Sequence, residues 1–213
     1  MGAPKIKICG LTSLHDARFA AGARADYLGF IFTEESPRYI EPGKAAAIIQ
    51  WIEGPKTVGV FLNQPLDDVI EIASSTGIDL IQLHGTESPD YCNMVDLPVI
   101  KAFHIGPGTR RDELEKKIAE YRGAADYFLL DTGSKSKWGG TGVPFDWSVG
   151  SGLEKEYPLF LAGGLNPDNI SDAWSVLKPY AFDISSGLEM EPGIKDFEKI
   201  EKLFDQLDKL ETP

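Results

Sequence analysis

The sequence is poor in cysteine and histidine and has no long apolar run. Its 213 residues include two cysteines and three histidines, too few for a disulfide framework, and their spacing predicts no metal site. No run approaches the roughly 20 apolar residues of a membrane span, and the first ten residues lack the apolar stretch of a signal peptide. These absences predict a protein of the reducing cytoplasm that does not bind membranes.

Positive charge is also scarce. Lys and Arg total 21 against 33 Asp and Glu, which gives a formal net charge of -12. A chain with this balance repels the phosphates of nucleic acids, so nucleic acid is not an expected partner. A small anionic ligand remains compatible, because local dipoles and one or two basic side chains can outweigh a distant net charge.

What the sequence does contain is a regular alternation of short apolar runs with amphipathic helical patterns. The candidate strands are residues 5–9, 27–32, 57–62, 80–83, 99–103, 127–130, 159–162 and 181–184. Most are unbroken apolar runs, typical of parallel strands that are buried on both faces. They predict one domain, residues 1–213, folded as a single (β/α)8 TIM barrel with eight parallel strands. A doubly wound open sheet is the alternative, but no dinucleotide-binding fingerprint follows the first strand.

A glycine followed by an aspartate precedes three of these strands. The pairs are Gly22 with Asp26, Gly77 with Asp79, and Gly123 with Asp126. Each glycine follows a helical pattern, as glycines that end helices do. The repetition supports a chain built from equivalent strand–helix units.

The carboxyl ends of the strands hold the candidate catalytic residues, because the active site of such barrels lies there. Cys9 ends the first strand and Asp131 follows the apolar run of the sixth. A Cys9 thiolate is a potential base, and apolar surroundings would raise the pKa of Asp131 and keep it as a protonated acid. A thiol packed in the core and a solvated carboxylate are the alternatives. Together the two groups suggest proton transfer at carbon and at oxygen.

Two turns and one arginine suggest an anionic substrate. Gly163 and Gly164 follow the seventh strand, and Ser185 and Ser186 follow the eighth. Glycine lets backbone N–H groups approach an anion, a helix N-terminus adds a favourable dipole, and this fold often binds phosphate here. Arg38, after the second strand, can hold a carboxylate through two parallel hydrogen bonds. Tight turns and a solvated arginine are the alternatives.

Several segments at these strand ends together resemble the phosphoribosylanthranilate isomerase family of tryptophan biosynthesis. They are residues 7–12, 82–85, 130–131, 139–142 with 145–147, 162–165 and 183–189. They occur in strand order over nearly the whole chain. The Gly-Gly turns are common to phosphate-binding barrels, whereas the segments around Cys9, Asp131 and Gly139 are specific. Leu188 is a conservative departure from the valine that we expect in the family.

The resemblance implies an Amadori rearrangement of N-(5-phosphoribosyl)anthranilate to 1-(o-carboxyphenylamino)-1-deoxyribulose 5-phosphate. It makes Cys9 the general base, as a thiolate of lowered pKa, and Asp131 the general acid. The implied substrate-binding residues are Arg38 for the anthranilate carboxylate, Asp183 for the sugar, Gly163, Gly164, Ser185 and Ser186 for the phosphate, and Gly139, Gly140 and Gly142 in a loop that closes over it. No metal or organic cofactor is implied, and barrels of this family occur as monomers and homodimers.

Three other functions compete with this one. The sister isomerase of histidine biosynthesis runs the same rearrangement, but we expect that family to have an aspartate at the position of Cys9. A sugar-phosphate epimerase would need metal-binding histidines and carboxylates at the strand ends. A barrel that binds phosphate without catalysis is the third alternative. The substitutions Cys9→Ala and Asp131→Asn would distinguish it, because a binding protein has no activity to lose.

Overall fold

The computed structural model describes residues 3–132 and 146–211. Eight parallel strands close into a barrel in sequence order, with the last strand beside the first. They are β1 Lys5–Cys9, β2 Tyr27–Ile31, β3 Lys56–Phe61, β4 Leu80–Leu83, β5 Val99–Ile105, β6 Tyr127–Thr132, β7 Leu159–Leu161 and β8 Ala181–Ile184. The predicted (β/α)8 barrel is confirmed, and the open sheet is wrong.

Helices cover the outside of the barrel. They are α1 Leu14–Gly22, α2 Pro42–Ile49, α3 Leu66–Thr76, α4 Pro89–Asn93, α5 Arg111–Glu120, α6 Ile170–Val176 and α7 Phe197–Glu211. Two short 3₁₀ helices, Trp147–Gly150 and Leu153–Lys155, precede β7. A third, Ser186–Leu188, leads into a hairpin of β9 Glu189–Glu191 and β10 Ile194–Lys195. Within the described ranges, no helix is long and apolar enough to cross a membrane.

Some element boundaries differ from the predicted ones. β5 and β6 extend past their apolar runs, because their pairing continues through His104 with Asp131, so Asp131 lies within a strand. Gly77 ends α3 in the left-handed conformation, as predicted. Gly22 is instead the last residue of α1, and Arg24 takes the left-handed conformation beyond it, with φ of 74°.

Side chains along each strand alternate between two apolar layers. The inner layer fills the barrel with Tyr27, Val58, Leu80, Ile100, Ala102, Leu129, Phe160, Ala162 and Ala181. The outer layer packs strands against helices and includes Ile8, Leu28, Leu130 and Phe182. Successive side chains on a strand point to opposite faces, so the inward positions at the carboxyl ends are those that line the mouth of the barrel.

The three repeated aspartates tie neighbouring strands together at the opposite, amino end of the barrel. Asp26 accepts the N–H of Ile6 at 2.8 Å, Asp79 that of Thr57 at 2.7 Å, and Asp126 that of Val99 at 2.8 Å. Each aspartate also donates its own N–H to the carbonyl of the same partner residue. These reciprocal pairs join β1 to β2, β3 to β4 and β5 to β6.

Replacing Asp79 with alanine is expected to lower the free energy of unfolding by about 1–3 kcal/mol. The substitution removes the acceptor of both the Thr57 N–H and the Thr57 hydroxyl, and an unsatisfied partly buried donor costs that much. Urea unfolding followed by circular dichroism measures the change. The exposed Asp205 on α7 provides the control, since Asp205→Ala is expected to stay within about 0.5 kcal/mol. Equal effects of the two substitutions would contradict a strand-joining role.

Candidate active site

A cavity opens at the carboxyl end of the barrel and gathers most of the predicted site residues. Its lining includes Cys9, Arg38, Asp131, Gly163, Gly164, Asp183, Ser185 and Ser186. They come from β1, β6 and β8 and from the turns after β2, β7 and β8, so the fold brings together residues that are distant in sequence. Gly139, Gly140 and Gly142 lie outside the described residues.

Cys9 is buried at the inward carboxyl end of β1. Burial raises the pKa of its thiol, although the charge of the Lys7 ammonium acts in the opposite direction. The expected lowering of this pKa is therefore wrong. The thiol is protonated at neutral pH, because its pKa lies above the ordinary value of about 8.5.

Lys7 lies two residues before Cys9 on the same inward face of β1, and it was not among the predicted site residues. Its side chain is fully buried, and its ammonium donates to Asp183 Oδ2 at 2.7 Å. Burial would lower the pKa of Lys7, but the charge of Asp183 and the hydrogen bond to it raise this pKa. The signal that could have found it is a lysine two residues before Cys9, in phase with it on the same face of β1.

Asp131 is held by groups from β4 and from its own strand. Its Oδ2 lies 3.2 Å from His84 Nε2, and its Oδ1 accepts the N–H of Thr132 at 2.7 Å. Burial would raise the pKa of Asp131, but the hydrogen bond and charge of His84, with the Thr132 N–H, lower it below its ordinary value. The predicted raised pKa is wrong, because the apolar run before Asp131 did not reveal the histidine on another strand.

His84 belongs to a chain of polar side chains across the mouth. Gln82 Nε2 lies 2.9 Å from His84 Nδ1, and His104 Nε2 lies 2.9 Å from the carbonyl oxygen of His84. The spacing of the histidines along the sequence does not reveal a carboxylate partner, but in the structure Asp131 lies next to His84. Ligand atoms of His84, His104 and Asp131 lie within 4.8 Å of one another, so among the described residues this set has the chemistry to hold a metal ion.

The turns after β7 and β8 both line the cavity. Gly163 has φ of +84°, and a Cβ there would come within 2.9 Å of Asp131 Oδ1, so only glycine fits this close approach. Ser185 Oγ is buried and hydrogen-bonds to no group within residues 3–132 and 146–211. The helix after β8 is a single 3₁₀ turn that begins at Ser186, shorter than the sequence suggests.

Arg38 lies at the rim, where its side chain lines the cavity. Its guanidinium forms a close ion pair with Glu189 at the start of β9, with a shortest N–O distance of 2.7 Å. Glu189 was not predicted as a partner, because sequence separation hides their contact. The ion pair with Glu189 thus holds the Arg38 side chain in one position facing the cavity.

Comparison with known proteins gives one consistent result. A family model described as N-(5'-phosphoribosyl)anthranilate (PRA) isomerase matches residues 6–206. A curated N-(5'-phosphoribosyl)anthranilate isomerase from Citrifermentans bemidjiense is 45% identical over 207 residues, covering 97% of this chain and 98% of that protein. The family resemblance inferred from the strand-end segments is confirmed.

Solved structures agree. A phosphoribosyl anthranilate isomerase from Thermotoga maritima has 34% identity and a TM-score of 0.87, with 97% of this chain and 99% of that chain covered. A second isomerase structure, in complex with reduced 1-(o-carboxyphenylamino)-1-deoxyribulose 5-phosphate, has 34% identity, the same coverage and a TM-score of 0.84.

Proposed function

The chain belongs to the N-(5'-phosphoribosyl)anthranilate isomerase family, and from this premise we propose how its own residues carry the reaction. The activity is the isomerisation of N-(5-phosphoribosyl)anthranilate to 1-(o-carboxyphenylamino)-1-deoxyribulose 5-phosphate in tryptophan biosynthesis. Cys9 is the general base and Asp131 the general acid. The observation that carries this assignment is that the thiol and the carboxylate, from β1 and β6, line one cavity.

The first step opens the sugar ring. Asp131 donates a proton to the furanose oxygen as the bond between that oxygen and C1′ breaks, and the lone pair of the anthranilate nitrogen forms the C1′=N bond. Cys9 then removes the proton from C2′, and the released electron pair forms C1′=C2′ and neutralises the nitrogen. The resulting enolamine tautomerises to the ketone. Each of the first two steps moves one proton between a named side chain and the substrate, and the final tautomerisation moves a proton from the C2′ hydroxyl to C1′.

Cys9 and Asp131 together hold the one proton that the reaction requires, but the pKa directions place it on Cys9 and not on Asp131. Burial keeps the proton on Cys9, and His84 favours the Asp131 carboxylate. The active arrangement, a thiolate with a carboxylic acid, differs only by transfer of that proton. The charge of Lys7 favours the thiolate, and His84 Nε2 lies 3.2 Å from Asp131 Oδ2, within reach for a hydrogen bond to the carboxyl group.

The rate is expected to show a broad pH plateau. Between the lowered pKa of Asp131 and the raised pKa of Cys9, the pair holds one proton, so the fraction in the active arrangement does not change. We expect kcat/KM to be nearly constant between the ordinary pKa values of an aspartate and a thiol, about 3.9 and about 8.5, and to fall only beyond those limits. A pH limb inside this range that His84→Asn removes would assign the shared proton to His84 instead.

The other end of the substrate fits the rest of the cavity. We propose that the turns with Gly163, Gly164, Ser185 and Ser186 bind the phosphate, that Asp183 contacts the sugar, and that Arg38 binds the anthranilate carboxylate. The positive φ values of the two glycines and the buried hydroxyl of Ser185 support the phosphate site. The ion pair of Asp183 with Lys7 would fix the carboxylate near the reacting C2′.

We also propose that residues 1–213 act as one catalytic domain in the cytoplasm, as a monomer or homodimer, without nucleic acid or a membrane. The closed barrel supports the single domain, and two cysteines present as free thiols are compatible with a reducing compartment.

The test follows the fluorescence of phosphoribosylanthranilate, made in situ from anthranilate and phosphoribosyl pyrophosphate. Adding the protein is expected to make the signal fall with the formation of the ketose product, identified by mass and chromatography. Folded protein that leaves the signal unchanged would contradict the proposed function.

A further inference from the structure

Glu189 holds the guanidinium of Arg38 from one side. The carboxylate is nearly fully buried, and it accepts from Arg38 Nε at 2.9 and 3.0 Å and from Nη2 at 2.7 Å. Burial would raise the pKa of Glu189, but Arg38 and Lys195 lower it, so it is an anion at neutral pH. This is the side-on form of an arginine–carboxylate fork.

The opposite end of the guanidinium is left for a ligand. Arg38 Nη1 has no acceptor among the groups of residues 3–132 and 146–211, and the side chain lines the cavity. The stem is fixed too, because it crosses Gly10, where a Cβ would come within 2.6 Å of Arg38 Cδ. The end-on pair of nitrogens can therefore take a second carboxylate without the arginine moving.

Lys195 connects the Arg38–Glu189 ion pair to β1, the strand that carries Cys9. Its buried ammonium donates to Glu189 Oε1 at 2.8 Å, to the carbonyl oxygen of Cys9 at 2.6 Å and to that of Ser185 at 3.3 Å. One buried carboxylate thus joins Arg38, through Lys195, to the backbone of Cys9 and to the turn after β8. The hairpin β9–β10 supplies both Glu189 and Lys195.

We propose that Glu189 is a positioning residue for substrate specificity, one that holds Arg38 end-on to the carboxylate of the aromatic amine. The inference rests on the proposed function, in which Arg38 binds that carboxylate. A guanidinium that Glu189 already holds in place binds the carboxylate without the entropic cost of ordering a free arginine side chain. Lys195 fixes the position of this ion pair relative to Cys9. An ion pair that only stabilised the hairpin would affect all substrates alike.

The test compares two substrates in Glu189→Gln, which keeps the side-chain volume but removes the charge. The substrates are phosphoribosylanthranilate and its analogue without the carboxylate, phosphoribosylaniline, each followed by product formation. We expect KM for the first to rise at least tenfold with a smaller change in kcat, as for a lost binding contact. The kcat/KM for the second is expected to change less than threefold, so the preference for the carboxylate falls.

A matched control comes from the second buried Lys–Glu pair. Glu87 lies 2.9 Å from Lys101, and both are almost fully buried, but neither contacts Arg38. Glu87→Gln therefore introduces the same chemical change and is expected to leave the ratio of the two kcat/KM values unchanged. In an Arg38→Met background, Glu189→Gln is expected to have no further effect on this ratio, because the two residues act through one contact.

The outcomes separate this inference from the proposed function. If the wild-type protein converts neither substrate, the proposed function fails. If it converts phosphoribosylanthranilate and Glu189→Gln changes both substrates equally, the positioning role is overturned and the function stands. Glu189→Asp is measured in parallel, because it keeps the negative charge but withdraws it by one methylene from both Arg38 and Lys195. An unchanged preference in whichever variant folds also overturns the role.

Discussion

Replacing Cys9 with alanine is expected to lower kcat/KM for phosphoribosylanthranilate by about 10²- to 10⁴-fold, the range for loss of a general base. Lys7 and Asp183 are the charged groups that act most on Cys9, and Ser185 lines the cavity with it. The Asp183 carboxylate is paired with Lys7, so none of the three is a free base for the C2′ proton. Lys7 is bound to Asp183 at 2.7 Å as an ammonium. Removing the thiol therefore leaves the barrel without a base at this position.

The measurement is the fall in substrate fluorescence at fixed enzyme concentration. Cys92→Ala is the matched control, because Cys92 is the other buried thiol, lies on α4 and does not line the cavity. We expect it to keep activity within about twofold while losing some stability through the small cavity left behind. A Cys9→Ala enzyme with wild-type kcat/KM would contradict the assignment of Cys9 as the general base and leave the isomerase function intact.

Replacing Asp131 with asparagine is expected to lower kcat by about 10²- to 10⁴-fold through loss of the acid. The amide keeps the shape of the carboxylate and can still accept the Thr132 N–H that Oδ1 now accepts at 2.7 Å. It carries no proton that can be given to the ring oxygen. The defect is therefore expected in the chemical step, with KM changed much less.

A substrate with deuterium at C2′ distinguishes the two roles. In Asp131→Asn, ring opening becomes the slow step, so the isotope effect on kcat is expected to approach one. Asp112→Asn, an exposed position on α5, serves as the control and is expected to behave as wild type. A full isotope effect together with a large loss of kcat in Asp131→Asn would mean that the residue acts in proton removal at carbon instead.

The sequence predicted positions in this site better than it predicted proton affinities. Cys9 and Asp131 were predicted at the cavity because the active site of such barrels lies at the carboxyl ends of the strands, where Cys9 ends β1 and Asp131 follows an apolar run in β6. The directions of their pKa shifts were wrong, because each depends on contacts that no local pattern contains. His84 reaches Asp131 from β4, and the full burial of Cys9 follows from closure of the barrel around it.

The same reason explains why Glu189 and Lys195 were missed. Both stand in a hairpin after β8, where the sequence pattern showed only a turn, and their partners are Arg38 after β2 and the backbone of Cys9. Contacts between the first and last units of a closed barrel join residues separated by most of the chain. Alternation of apolar runs predicts that such neighbours exist, but does not predict which side chains meet.

The aspartate bonds at the amino end of the barrel group its strands in twos. Reciprocal hydrogen bonds join β1 to β2, β3 to β4 and β5 to β6. The residue before β8 is Tyr180 and not an aspartate, and its hydroxyl contacts the hydroxyl of Tyr27. A cut in the chain between β2 and β3, or between β4 and β5, leaves every fastening inside one covalent piece. New termini in either of those two connections therefore leave these hydrogen bonds intact, and a circularly permuted chain opened there retains its paired strands.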